Sequence, residues 1–479
     1  MQSEKYIRET INIRTLTPVY IGGDQANNLS PITDYVVKNG RVFIVDQRKF
    51  ENLLSKDNEL IDEYVTLVKQ GKGKFDLENF IENKLNSSVE ELSKKEISVE
   101  GYIERGEIQS FISSNGNTFI PGSTVKGAIR TSFIYNYLTQ TDEGKSLVKE
   151  IFNPQIALDK LKNKQNLRVK EKKTIKNLEE LIRNMPNNKF NRNNKFAYNY
   201  IYNELLLFNN KITGNDFRHI QISDSNSIND EDTKIVQIYR RYLIKDSIKT
   251  SPLLHVMKEN SKTNFDIKLV NDFKDDFLKQ LNNRDIKDLF KMINQFSIDF
   301  IEFELERFEE FIKNAKTAKK AIAETLQGTI TFYNELKEKI KAARNSVAVL
   351  RIGGGKTYFD NSIGLALFKK DKDKFKQFRK LLGIWKHSGG WKAPFVEEDS
   401  PITRSFYYDR SLDSNLPLGW TVLYLEKDKD DVNKLFGYET ENKKGIKNIN
   451  YNEKSKSDNE ELDLSKLSNL GRVTTKRKN

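Results

Sequence analysis

Near the N-terminus apolar residues recur among polar ones, first Ile7, Ile11 and Ile13, then Leu16, Val19 and Ile21. With Thr10 and Thr15 between them this is the pattern of a half-buried strand, running into Pro18 and the pair Gly22-Gly23. Residues 35–45 place Asn39-Gly40 between two β-rich runs, which predicts a hairpin closed by a type I′ turn. Asp46 is positioned to cap a helix carrying Phe50, Leu53 and Leu54. The stretch near 50–100 is charged and helix-prone and reads as an insertion on the sheet. A strand is expected over Tyr102–Ile112, followed by a Ser-Asn-Gly-Asn turn.

Residues 119–130 read Phe-Ile-Pro-Gly-Ser-Thr-Val-Lys-Gly-Ala-Ile-Arg. Pro121-Gly122 interrupts the extended run, and Ser123 or Thr124 is expected to cap a helix reaching Leu138. Its first-turn N–H groups would then be free to face a phosphate. Lys126 and Arg130, four apart, share one helical face, while Val125, Ala128, Ile129 and Phe133 form the core-facing stripe. The plainer reading is a capped helix with a solvated basic face. Residues 140–210 are rich in Lys and Asn and are read as a second helical insertion, before a strand at Phe217–Ile222 that ends in Ser223-Asp224-Ser225.

The second half repeats the pattern. Strands are expected at Val236–Leu243, Leu253–Lys258 and Phe265–Leu269, where Phe265, Ile267 and Leu269 face one side and Asp266 and Lys268 the other. Residues 271–343 are expected to be mostly helical. Val347–Ile352 reads as a buried strand, ending in Gly353-Gly354-Gly355-Lys356-Thr357, and Trp420–Leu425 as a last strand. This order suits an α+β fold with helices on one face of antiparallel sheets. The expected division is 1–232, 233–441 and a polar, mobile tail at 442–479.

Lys and Arg together number 81 against 68 Asp and Glu, a net charge of +13 that favours polyanionic partners. Lys greatly outnumbers Arg, and a nucleotide-composition bias would explain that replacement better than it explains the net excess. The absence of cysteine excludes disulfides and thiolate metal sites. No apolar run approaches the ~20 residues of a membrane-spanning helix, and Met1–Tyr6 lacks a secretory signal's apolar core. A cytoplasmic location without membrane attachment is expected.

Gly355-Lys356-Thr357 after a strand invites comparison with a nucleotide-binding P-loop. That motif would need a glycine where Leu350 stands, so nucleotide hydrolysis is not expected. Three consecutive glycines flanked by Arg351 and Lys356 instead suggest a cleft for a nucleic-acid backbone; a tight strand-to-helix connection is the alternative. His219, His255 and His387 show no metal-ligand spacing. His219, near Asp224, could act as general base on a ribose 2′-OH, although a lone strand histidine is more often structural. Glu397-Glu398-Asp399 reads as a solvated acidic turn. Aromatics interleave with cations at Tyr239–Tyr242, Trp385–Lys392 and Arg404–Arg410, the combination that holds unpaired bases and phosphates.

Phe119–Arg130 resembles the Pro-Gly-Ser-[Ser/Thr]-[Leu/Val]-Lys-Gly-Ala-[Ile/Leu]-Arg segment of the RAMP superfamily, the repeat-associated proteins of CRISPR systems. Leu16–Gly23 followed by Asp34-Tyr35, Ile222–Ser225, Arg351–Gly355 and Leu418–Leu425 are similar to that group in the same order. Order and size are most similar to the fifth subunit of the type III-A Csm effector complex. The resemblance implies two ferredoxin-like (RRM-like) domains with large helical insertions. It implies a non-catalytic backbone subunit that caps the 3′ end of the CRISPR RNA and supports its maturation by recruited host nucleases. Implied partners are CRISPR RNA and the repeated backbone and small subunits; no cofactor or metal is implied. Gly122, Ser123, Lys126 and Arg130 fall in the family's turn and helix, and Arg351, Gly353, Gly354, Gly355 and Lys356 in or beside its glycine-rich loop. The alternative from the residues is a metal-independent endoribonuclease of repeat RNA, with His219 as base and Lys126 steadying the cleaved phosphate.

Overall fold

The hairpin and the strand pairings that follow from alternation form as expected. The structure is a computed structural model that describes residues 6–71, 75–101, 106–167, 169–184, 219–243, 247–270, 285–315, 319–382 and 401–437. In chain order the strands are β1 (Tyr6–Thr15), β2 (Tyr35–Lys38), β3 (Arg41–Val45), β4 (Ser93–Glu100), β5 (Ile108–Gln109), β6 (Ser113–Ser114), β7 (Asn117–Thr118) and β8 (Ile220–Ile222). They continue with β9 (Thr233–Tyr242), β10 (Ser247–Thr250), β11 (Leu253–Met257), β12 (Lys262–Val270), β13 (Val347–Arg351), β14 (Thr403–Asp409), β15 (Ser414–Pro417) and β16 (Trp420–Tyr424). The first helices are α1 (Gln47–Leu54), α2 (Asn58–Gln70), α3 (Leu77–Asn83), α4 (Val89–Leu92), α5 (Gly122–Gln140), α6 (Asp142–Phe152), α7 (Pro154–Lys162) and α8 (Val169–Asn184). The later ones are α9 (Ile286–Asn314), α10 (Lys319–Ala342), α11 (Gly364–Lys370), α12 (Lys372–Leu382) and α13 (Lys429–Phe436).

One sheet has the order β13-β16-β1-β12-β8, antiparallel throughout. Its register pairs Ile11 with Phe265 and Thr10 with Asp266, so one face is apolar and the other polar. The alternation read on β12 holds: Phe265, Ile267 and Leu269 are at most 3 % exposed. Helices α5 and α9 pack against each other and against this sheet, and the large core of the molecule lies between them. The second sheet runs β15-β14-β9-β4-β3-β2, with β10 and β11 on β9 and β5 on β11. It is mostly antiparallel, but β4 pairs with β9, and β5 with β11, in parallel.

Asn39 and Gly40 have φ of 52° and 73°, the positive pair that a type I′ turn needs. Asp46 Oδ1 accepts from the N–H groups of Arg48 and Lys49 at 3.0 and 3.3 Å, the expected cap of α1. The helical stretch near 50–100 ends differently. Residues 93–100, which read as helix, form β4, because pairing with β3 and β9 buries Ile97 (1 % exposed) against a sheet that the local sequence does not announce. Each sheet draws strands from both sides of residue 232. The described residues up to Phe436 pack as one unit.

Several sequence expectations lie outside the described residues: the strand residues 102–105 and 217–218, the insertion beyond 184, the stretch 271–284, His387, Trp385–Lys392, Glu397–Asp399, and the tail at 442–479.

Candidate nucleic-acid interface

Helix α5 begins where two sequence motifs meet. Ile120 N donates to Ser225 Oγ at 2.9 Å, Ser225 N donates to Ile120 O at 2.9 Å, and Gly122 N donates to Asp224 Oδ1 at 2.8 Å. A Cβ at Gly122 would overlap the carbonyl of Ile222 and lie 2.5 Å from Ser223 O, so only glycine lets the end of β8 cross here. This corrects the expected cap. The N-cap residue is Pro121, and neither Ser123 nor Thr124 caps the helix through its side chain. The helix starts at Gly122, two or three residues earlier than a cap at Ser123 or Thr124 would give, and the carboxylate that serves its positive end comes from Asp224, about a hundred residues away. One first-turn N–H is therefore already taken by an internal anion, and exposed Ser123 simply lies in the first turn.

The rest of α5 follows the pattern. Val125, Ala128, Ile129 and Phe133 are at most 3 % exposed, while Lys126 and Arg130 are half-buried on the other side. Burial, and then the charge of Arg130, hold the Lys126 ammonium below its ordinary pKa. Among the described residues no carboxylate pairs with Lys126.

The glycine loop is shaped by its own chain. Gly354 N donates to Tyr20 O at 2.7 Å, Gly353 (φ 70°) has no room for a Cβ against that same oxygen, and Gly355 has φ 81°. Ile352 N bonds Gly419 O at 2.8 Å, and Gly419 N bonds Pro18 O at 2.9 Å, so the segments around 18–20, 352–355 and 418–420 are laced together. The close backbone approach expected of a ligand is made here by Tyr20.

Arg351 is corrected as well. It is 7 % exposed, with Nη1 on Asp360 at 2.9 Å, Nε on Leu418 O at 2.8 Å and Nη2 on Gly355 O at 2.9 Å. All three guanidinium nitrogens are engaged, so Arg351 shapes the loop from inside rather than offering a surface cation. Lys356 differs. It is half-buried, burial lowers its pKa against the opposing pull of Asp360, and no hydrogen bond or ion pair holds it among the described residues. The loop runs through Thr357 and Asp360 before α11 starts at Gly364, unlike a P-loop that enters its helix directly.

Helix α5 packs against β13 and α11, the elements on either side of the glycine loop, so the two basic segments sit on neighbouring supports. His219 is half-buried just ahead of β8, and Asp224 is committed to Gly122. Of the aromatic–cation groups, Arg240 in β9 is exposed and Lys249 Nζ stands 5.7 Å from the Tyr242 ring centre. Arg404 is structural: its Nε and Nη2 grip Glu304 of α9 at 2.6 and 2.7 Å in a buried bidentate pair. The structure adds Asp224 and Tyr20 to the site. Both lie in segments whose family resemblance was readable, but their contacts span too much sequence for spacing to reveal.

Known proteins resemble this chain along most of its length. The RAMP superfamily model matches residues 12–359. A curated relative from Methanocaldococcus jannaschii, described as CRISPR system Cms protein Csm5, is 23% identical over 455 residues, covering 88% of this chain and 90% of its own. A chain in a cryo-EM structure of a Csm–crRNA–target RNA ternary complex of a type III-A CRISPR-Cas system matches with a TM-score of 0.58 and 20% identity, over 87% of this chain and all of that one. The crystal structure of T. onnurineus Csm5 matches with a TM-score of 0.51 and 17% identity, over 75% of this chain and 94% of its own. With the Pro-Gly-Ser-Thr-Val-Lys-Gly turn, the glycine loop and the helix-backed sheet in place, the chain belongs to the RAMP superfamily.

Proposed function

We propose that this chain is an RNA-binding, non-catalytic backbone subunit of a type III-A CRISPR complex, holding the 3′ end of the CRISPR RNA while host nucleases mature it. One observation carries the reading: Lys126 and Lys356 are partly desolvated lysines that make no ion pair among the described residues, and for Lys356 burial outweighs the pull of Asp360. Lys126 lies on α5, and Lys356 on the loop between β13 and α11, both of which α5 packs against. An ammonium drawn from water without a counter-ion is stabilised by an arriving phosphate. The full-length similarity to a Csm5 protein and to a chain of a Csm–crRNA–target RNA complex supports the assembly part. The ferredoxin-like part rests on the order β16-β1-β12-β8, with α5 following β1 and α9 following β12, which is the split βαβ arrangement. The second sheet has two parallel pairings that an antiparallel ferredoxin-like sheet lacks, so a second such domain rests on the family resemblance alone. Retention of CRISPR RNA by the assembled complex tests the proposal: Lys126→Ala with Arg130→Ala should release RNA at lower salt than the parent. A discrete cleavage product from repeat RNA incubated with the purified chain in EDTA, lost in His219→Ala, would replace this reading with the nuclease one.

A further inference from the structure

Tyr20 stands where the two glycine-rich segments meet. Its half-buried ring packs against the apolar cluster that includes Val236, Leu254 and Leu418. The ring is flanked by two positions that its own bulk keeps free of side chains. A Cβ at Gly22 would lie 2.9 Å from the Tyr20 hydroxyl, and one at Gly354 would lie 2.8 Å from Cδ1. The Tyr20 carbonyl is tied to Gly354 N at 2.7 Å, so ring and loop are held together. Its hydroxyl makes no hydrogen bond within the described residues. Two residues beyond Gly354 comes Lys356, whose ammonium has no described ion-pair partner.

A tyrosine serving only the core usually pairs its hydroxyl inside the protein. Here an aromatic plane and a hydroxyl without a hydrogen bond among the described residues lie in a segment tied to the loop that carries Lys356, a cation without an ion pair among those residues. Those are the parts with which proteins hold unpaired nucleotides: a surface for stacking, a partner for a base edge or 2′-OH, and a charge for the phosphate. We propose that Tyr20 is the stacking platform for one unpaired base of a single-stranded RNA whose backbone phosphate rests on Lys356. This rests on the RNA-binding reading above and adds a residue and a contact type to it.

The test is fluorescence anisotropy of a labelled single-stranded oligouridylate on the purified full-length chain at several salt concentrations. Tyr20→Leu keeps the apolar packing but removes the π-face. It should weaken binding roughly 5- to 100-fold without changing the slope of log affinity against log salt. Tyr20→Phe keeps the plane and should stay within about threefold of the parent. Lys356→Ala should weaken binding and flatten the slope by about 0.7, the effect of one single-strand phosphate. Photocrosslinking of 5-iodouridine RNA to the unmodified chain should place an adduct on Tyr20 and guards against a variant that fails to fold. Parental affinity in Tyr20→Leu, or adducts only at other residues, overturns the proposal. If that happens while Lys126→Ala with Arg130→Ala still weakens binding, only the Tyr20 assignment falls. If no variant differs from the parent, the RNA-binding reading falls with it.

Discussion

Lowering the pH from 7.5 to 5 should destabilise this protein through one residue, His255. It lies in β11, 7 % exposed, with the Phe111 ring edge-on at 6.3 Å and no hydrogen bond to Nε2 among the described residues. Burial first, and then the charge of Lys95, push its pKa down to about 3, with Asp230 opposing. The native state therefore keeps His255 neutral, whereas the unfolded chain protonates near pH 6.5. Since the unfolded state binds more protons below that point, stability is fully present above about 6.5 and falls as the pH drops towards the native value. At 1.36 kcal/mol per unit, the loss by pH 5 is about 2 kcal/mol. Carboxylates held low in the native state, such as Asp266 beside Arg8 and Thr10, respond mainly in more acid solution, while Glu78, raised by burial and then by Glu82, acts in the opposite sense, so it is the comparison with His255→Leu that isolates the histidine. Urea midpoints of the purified chain at pH 7.5, 6.5, 5.5 and 5.0 should decline accordingly, and His255→Leu should flatten the decline. A flat profile in the parent, or an unchanged decline in His255→Leu, would refute the argument.

Other expectations follow from the same interactions. Gly122→Ala should lower stability by about 1–3 kcal/mol or more, because the new methyl meets backbone carbonyls that cannot swing aside; thermal melting reads it. Arg404→Met should cost about 3–5 kcal/mol by leaving Glu304 buried without its partner, and adding Glu304→Met should recover most of the loss in urea melts. Arg351→Ala should lower the melting temperature while leaving the salt dependence of RNA binding unchanged, the opposite of what a cation resting on a phosphate at the surface would show. Lys126→Ala with Arg130→Ala should flatten the salt slope by about 1.4, about 0.7 for each single-strand phosphate that is no longer neutralised.

Local chemistry was legible along the chain. The Asn39-Gly40 turn, the Asp46 cap, the alternation of β12 and the buried stripe of α5 each depend on residues a few positions apart, and the chain pattern determined them alone. The family resemblance lay equally on the surface of the sequence, in the turn at 119–130 and the glycines at 353–355. What tertiary structure decided is which polar groups those elements use up. Arg351 and Lys356 stand five residues apart and look alike as cations, yet one is enclosed by Asp360 and two carbonyls and the other makes no hydrogen bond or ion pair among the described residues. Asp224 reaches Gly122 across about a hundred residues, and Arg404 reaches Glu304 over a similar span. Even β4, with little apolar content of its own, is a strand only because β3 and β9 flank it. The physical reason is common to all of them. Hydrogen-bond satisfaction and burial are settled by neighbours in space, and a sequence window contains only neighbours along the chain.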